Sequence, residues 1–271
     1  MVNLLNVSRV AFSIGGLDVY WYGIIICIAI IVAIVVASLY AKKRKRNPEI
    51  ALNIALVILP TGIVGARLFS VLFDAGLNIM DFFNFRTGGL SIIGAVIGGG
   101  LGLLAYCFIK KEKNPFIYFD TLAVVVILAQ AIGRWGNYFN QEVYGQIIEA
   151  GTTFARFPFA VEIDGVFYQA LFFYESVLDL LGFVGLSFIY LFVKDSGYTT
   201  AAYLMYYGTI RIILETFRQS EYVLRLAGLP ISQICSGIMI AAGTALLIYL
   251  ILKSKKNTVR KNNYGKKVRK V

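Results

Sequence analysis

Histidine is absent from this chain, and its 271 residues hold only three cysteines, five prolines and two tryptophans. Without histidine, a Ser-His or Cys-His nucleophile pair within the chain is excluded. Cys27, Cys107 and Cys235 each fall inside an apolar run and share no metal-ligand spacing, which excludes a zinc site built from this chain. They read as small packing residues. Charge is scarce as well: 15% of the residues are charged, against about 25% in soluble domains. Segments 1–17 lack a basic leader ahead of an apolar core, so no cleavable signal peptide is expected. Short alternating segments of the kind that build membrane β-barrels are also missing.

What the chain does have is apolar length. It is 58% hydrophobic, with a mean hydropathy of +0.73, and runs of about 20 apolar residues, the bilayer-spanning length, recur. The expected fold class is an all-α integral membrane protein of seven transmembrane helices. The expected spans are Val19–Tyr40, Ile50–Phe73, Gly88–Ile109, Phe116–Ile132, Ala170–Val193, Thr199–Phe217 and Ile231–Leu252. Residues 1–252 then form one membrane domain, with a small external cap at about 135–169 between spans four and five. A hairpin is expected in the cap around Asp164-Gly165. Residues 253–271 form a basic tail expected to be disordered. In the third span, Gly94, Gly98 and Gly102 recur every fourth residue. That row suits close helix approach better than a phosphate loop, because no Lys-Ser/Thr follows it.

The net charge of +11 is placed in a telling way. Lys42–Arg46, Lys110–Lys113, Lys194 and the tail from Lys253 to Lys270 hold 18 of the 26 basic residues and every lysine. With seven spans, all four groups fall on one side, the positive-inside pattern. The N-terminus is therefore expected outside and the C-terminus in the cytoplasm. The tail reads as an anchor near anionic lipid, and no nucleic-acid partner is expected. The other eight cations are all arginine, whose planar fork suits phosphate or carboxylate.

Polar chemistry gathers at one place, Gly133-Arg134-Trp135-Gly136-Asn137-Tyr138-Phe139-Asn140-Gln141-Glu142-Val143-Tyr144-Gly145, directly after an apolar run. A charged group at membrane depth costs about 2.5–3.5 kcal/mol on insertion scales, so such groups are functional candidates by default. Arg134 and Asn137 stand one helical turn apart, and Glu142 joins their face if the helix persists past Gly136. The bland reading is an interfacial helix end whose polar side chains snorkel. In the sixth span, Arg211, Glu215 and Arg218 lie at i, i+4 and i+7, on one stripe. There the bland reading is a structural ion pair. With the seven-span topology these groups, Arg67 and Glu175 all lie toward the outer half of the membrane. Arginine for a phosphate, asparagine for hydroxyls and glutamate as proton acceptor together suit an anionic lipid headgroup. The alternative is a transporter for a lipid or small anionic solute, although no internal repeat of the kind common in transporters is visible. A non-catalytic membrane scaffold is the third reading.

The Gly133–Gly145 stretch closely resembles the signature of the prolipoprotein diacylglyceryl transferase family, Gly-Arg-x-Gly-Asn-Phe-x-Asn-x-Glu-x-x-Gly, with Tyr138 in the Phe position. Further matches are Trp21-Tyr22-Gly23, Gly65-Ala66-Arg67-Leu68, Gly88-Gly89-Leu90-Ser91, Leu171–Glu175 and the element running from Tyr207-Gly208 through Arg211, Glu215 and Arg218. The resemblance covers roughly residues 15–250. It implies an enzyme of the bacterial cytoplasmic membrane, with its active site toward the outer face. That enzyme would move the diacylglyceryl group of phosphatidylglycerol to the lipobox cysteine thiol of prolipoproteins, the first step of lipoprotein maturation. By the resemblance, Arg211, Glu215, Glu142 and Tyr22 are catalytic, and Arg134, Asn137, Asn140, Gly145 and Arg218 bind substrate. No metal and no cofactor are implied. Two positions depart from the pattern. Ile93 stands where relatives carry His or Tyr, and Gln169-Ala170 replaces a His-Pro pair. The proton acceptor is then Glu142 or Glu215, or the thiol is activated without either.

Overall fold

The computed structural model describes residues 8–73, 78–83, 89–219, 223, 225–226 and 228–268. Much of the segment between the second and third expected spans, and the position Gly88, lie outside the described residues. The chain divides into two compact units, Ile34–Leu122 and Met1–Ala33 with Ala123–Val271.

Among the described residues seven α-helices dominate: α1 Trp21–Lys43, α2 Glu49–Phe73, α3 Ile92–Ile109, α4 Phe116–Asn140, α5 Leu171–Phe192, α6 Tyr198–Glu215 and α7 Ile231–Val268. Six of them are long and apolar enough to cross a membrane: α1 to α5, and α7 over Ile231–Lys256. The sixth helix has 18 residues but carries Arg211, Glu215, three threonines and four tyrosines, so its composition alone does not make it a span. An apolar stripe on α1, Ile28, Ile31, Val35 and Leu39, faces outward at three- and four-residue spacing. Such a surface is a liability in water and ordinary against lipid. In the tail, helical backbone continues to Val268, where no regular structure was expected. No proline interrupts that stretch.

In the Ile34–Leu122 unit, α2 and α3 pack through their glycines. Adding a Cβ at Gly65, Gly94 or Gly98 would drive it into the facing backbone, and at Gly102 into the Thr61 side chain. The expected glycine row is therefore a contact between helices. Ile54, Leu103, Cys107 and Tyr118 form a buried cluster beside it. Arg67 is fully buried. Its Nη1 donates to the Gly89 carbonyl at 3.0 Å and its Nε to the Phe82 carbonyl at 3.3 Å, and Nη2 donates to the Asp81 carbonyl. This arginine, one of the eight set apart in the sequence as suited to phosphate or carboxylate, spends these donors on backbone carbonyls.

The other unit opens with a hairpin, β1 Val10–Ile14 and β2 Leu17–Tyr20, whose loop Gly15-Gly16 has left-handed backbone. After α4 come β3 Ile147–Ile148, β4 Ala160–Ile163 and β5 Val166–Gln169, in the antiparallel order β3-β5-β4. The expected hairpin is there: Asp164 and Gly165, at φ 49° and 80°, form the two-residue loop between β4 and β5. A last short pair, β6 Arg225–Leu226 and β7 Leu229–Pro230, leads into α7. Tyr144, Val161, Ala170 and Phe172 form a buried cluster with Trp135 and Tyr138 against it. Leu171, Ile210 and Leu214 pack α5 on α6.

Candidate active site

Glycine lowers helix propensity by about 1 kcal/mol relative to alanine, so Gly133 and Gly136 ought to end α4 early. It continues to Asn140 because packing overrides propensity. A Cβ at Gly136 would stand 2.5 Å from Cδ2 of Tyr22, so this glycine is where the Tyr22 ring seats against α4. The helix then closes with a Schellman cap. Glu142 N–H donates to the Asn137 carbonyl and Gln141 N–H to the Tyr138 carbonyl, with Gln141 left-handed at φ 53°. This cap normally brings an apolar pair together, the third residue from the helix end and the second residue beyond it. Here that pair is Asn137 and Glu142. Asn137 Nδ2 donates to Glu142 Oε1 at 3.1 Å, and Asn140 Nδ2 donates to the same oxygen at 3.1 Å. The Asn-x-x-Asn-x-Glu spacing is thus the spacing of a helix cap with a polar bridge in place of a greasy one. Glu142 joins the asparagines from beyond the helix, not on its face.

One turn earlier on α4, Arg134 enters a chain of ion pairs. Its Nη2 lies 2.6 Å from Glu175 Oε1, and Glu175 in turn meets Arg211 Nη1 at 3.2 Å. Arg211 Nη2 pairs with Glu215 Oε2 at 3.1 Å and donates to Ser232 Oγ at 3.0 Å. Arg218 Nη1 reaches the same Glu215 oxygen at 3.4 Å. Five side chains from α4, α5, α6 and the turn after it form an alternating ladder. The three arginine side chains are 15–20% exposed, whereas the Glu175 and Glu215 side chains are 4% and 2% exposed. The two carboxylates are the more deeply buried members, and the five side chains carry three cations against two anions. Arg218 Nε is buried without a hydrogen-bond partner among the described residues. Burial pulls its pKa below the usual arginine range, with Glu215 opposing.

Gly145 ties the two clusters together. Its backbone bridges to Arg218, its N–H donates to the Gln169 carbonyl, and Gln219 N–H donates to the Tyr144 carbonyl. A Cβ at Gly145 would lie 2.7 Å from Gln169 Oε1 and 2.8 Å from Gln169 Cβ, so only glycine allows this crossing.

Every candidate site residue therefore lies in one unit. Arg134, Arg211, Glu215 and Arg218 meet in the ladder, Asn137, Asn140 and Glu142 in the cap, and Tyr22 and Gly145 shape the backbone around them. Two contributors were not among the sequence candidates. Glu175, placed on the fifth span but given no role, is the hub of the ladder. Ser232 supports Arg211 from α7. The signal for Glu175 was available, since it is an ionisable residue inside an apolar run. Ser232 gave none. Asp179, one turn from Glu175, is fully buried, with neither carboxylate oxygen hydrogen-bonded among the described residues.

A family model described as prolipoprotein diacylglyceryl transferase matches residues 9–249. The chain belongs to this family. Among curated relatives, the phosphatidylglycerol–prolipoprotein diacylglyceryl transferase 1 of Clostridium perfringens is 36% identical over 257 residues, covering 92% of this chain and 97% of the relative. A protein of the same activity name from Finegoldia magna is 36% identical over 258 residues, covering 93% and 98%. One from Streptococcus suis is 34% identical over 264 residues, covering 94% and 96%. Nothing in these matches favours the transporter reading.

Proposed function

We propose that this chain transfers the diacylglyceryl group of phosphatidylglycerol to the lipobox cysteine thiol of prolipoproteins, releasing glycerol phosphate. The observation that carries the reading is the ladder, which gathers three arginines around two carboxylates that are more deeply buried than they are. That is a surface for a phosphodiester, and in this family the donor named in the relatives' activity carries one.

In chemical terms the acceptor sulfur loses its proton and attacks the glyceryl carbon that bears the phosphate. The carbon–oxygen bond breaks, its electron pair stays on the phosphate oxygen, and a thioether forms. Arg134, Arg211 and Arg218 bind the phosphate and stabilise the charge that develops on the leaving oxygen. For the proton, geometry favours Glu142 over Glu215. Glu215 Oε2 already accepts from two arginines. Glu142 takes only neutral amide donors, both on Oε1, and pairs with no arginine among the described residues, so its charge and its Oε2 are placed to take a thiol proton. Asn137 and Asn140 orient that carboxylate, and Tyr22 walls the site against Gly136.

The same reading counts α6 as a seventh span. The lysine-bearing connections α1–α2, α3–α4 and α5–α6 and the tail then share the cytoplasmic side. The β3-β5-β4 sheet and the ladder lie toward the outer face of a bacterial cell membrane. Purified protein given phosphatidylglycerol and a lipobox peptide is expected to yield diacylglyceryl-peptide and glycerol phosphate in equal amounts. No product under conditions that sustain an active relative sinks the reading.

A further inference from the structure

A hydroxyl inside a helix commonly bonds back to its own helix. Thr61, Thr121, Ser187, Thr209 and Ser236 do so, each donating to the carbonyl four residues earlier. Ser176 on α5 does otherwise. It is buried, its Oγ donates across to the Ala131 carbonyl of α4 at 2.8 Å, and it accepts from Trp135 Nε1 at 3.2 Å. Ala131 and Trp135 stand one helical turn apart, so a single hydroxyl grips both ends of one turn of α4. The Trp135 ring also meets Phe172 edge-on at 5.5 Å, one turn before Ser176 on α5.

The turn so gripped is the one that carries Arg134, and the residue that grips it is the chain neighbour of Glu175. Arg134 and Glu175 make the 2.6 Å pair by which α4 joins the ladder. That pair links two long side chains, whose many rotamers can follow a shifted helix. The Ser176 hydroxyl hangs on one torsion and its bonds end on backbone and on a packed ring, so it fixes helix position more strictly. We propose that Ser176 is a positioning residue for the transfer reaction: by clamping the Ala131–Trp135 turn of α4 to α5, its hydroxyl sets where the Arg134 guanidinium stands for the substrate phosphate. This deepens the transferase reading above and rests on the phosphate role given there to Arg134.

The test uses full-length S176A, the double variant W135F/S176A, and S176A added to R134A. Binding of phosphatidylglycerol is measured in zwitterionic micelles without peptide, so that inactive variants remain readable, beside kcat/KM for the lipid, KM for a lipobox peptide, and Tm. S176A should lose about tenfold in lipid affinity and in kcat/KM, as a displaced binding group does, with KM for the peptide within about twofold. In the R134A background the same substitution should change lipid affinity by less than about twofold, because a residue that acts through Arg134 has nothing left to act on. Adding W135F removes the indole donor that S176A strands, so W135F/S176A should regain Tm relative to S176A while its lipid affinity stays low. Wild-type affinity in S176A overturns the proposal. So does an equal loss with and without Arg134, or an affinity that returns with Tm in W135F/S176A, since each reduces Ser176 to packing. A wild-type chain that neither binds phosphatidylglycerol nor transfers defeats the transferase reading itself, whereas S176A matching an active wild type defeats this proposal alone.

Discussion

The ring of Tyr22, in the first turn of α1, occupies the space that a side chain on Gly136 would take, with Cδ2 2.5 Å from where a Cβ would stand. A glycine that weakens a helix is retained because an aromatic ring uses the gap. Gly136→Ala should therefore cost about 1–3 kcal/mol, the usual range for overpacking, and lower transfer activity by displacing Tyr22. Pairing it with Tyr22→Ala should recover the stability but not the activity. Thermal denaturation of the two single variants and the double variant checks this, and additive losses of stability in the double variant would break the link.

Glu175 touches two arginines at once. Glu175→Ala leaves Arg134 and Arg211 as facing like charges with their shared partner gone. A buried pair broken from one side typically costs about 3–5 kcal/mol, so a clear drop in Tm and near-complete loss of transfer are expected. Glu175→Gln, which keeps hydrogen-bond acceptance, should lose less stability. Equal Tm values for the Ala variant and the wild type would remove Glu175 from the hub.

Arg134→Lys separates charge from geometry. The ammonium keeps the positive charge but loses the planar fork that meets Glu175 while facing outward. A loss of at least about tenfold in kcat/KM is expected, with Arg134→Ala lower still. Membrane insertion of both should match the wild type by accessible-cysteine or protease mapping. A fully active lysine variant would show that charge alone suffices.

The two carboxylates differ in what they have left to give. Glu142→Gln should depress kcat by about 100-fold or more, the scale of a lost general base. Glu215→Gln should weaken binding and stability, through Arg211 and Arg218. Unchanged kcat in Glu142→Gln would return the proton question to the thiol itself.

Much of this arrangement was legible from residue spacing, and the remainder was invisible for a physical reason. The polar run after Phe116–Ile132, the row of glycines facing Gly65, the Asp164-Gly165 loop and the Arg211–Glu215–Arg218 stripe all depend on local periodicity, which a sequence displays directly. Which helix adjoins which does not appear in local periodicity. Glu175 could be placed on its helix, yet nothing in the chain says that α5 sets it between α4 and α6. Gly136 left the end of α4 open for the same reason, because the ring that uses its gap lies more than a hundred residues upstream. Arg67 shows the converse error: a lone arginine near a helix end looks available for an anion, but its donors go to three backbone carbonyls.

The polarity of α6 bears on how the protein is made. On the seven-span reading, a helix holding Arg211 and Glu215 meets a transfer penalty of about 2.5–3.5 kcal/mol for each charge when it leaves the insertion machinery alone. Glu175 on α5 precedes it in synthesis, and Ser232 on α7 follows. On that reading Arg211 meets Glu175 on a helix already in the bilayer, so the ion pairs that gather the candidate site also lower the cost of inserting α6.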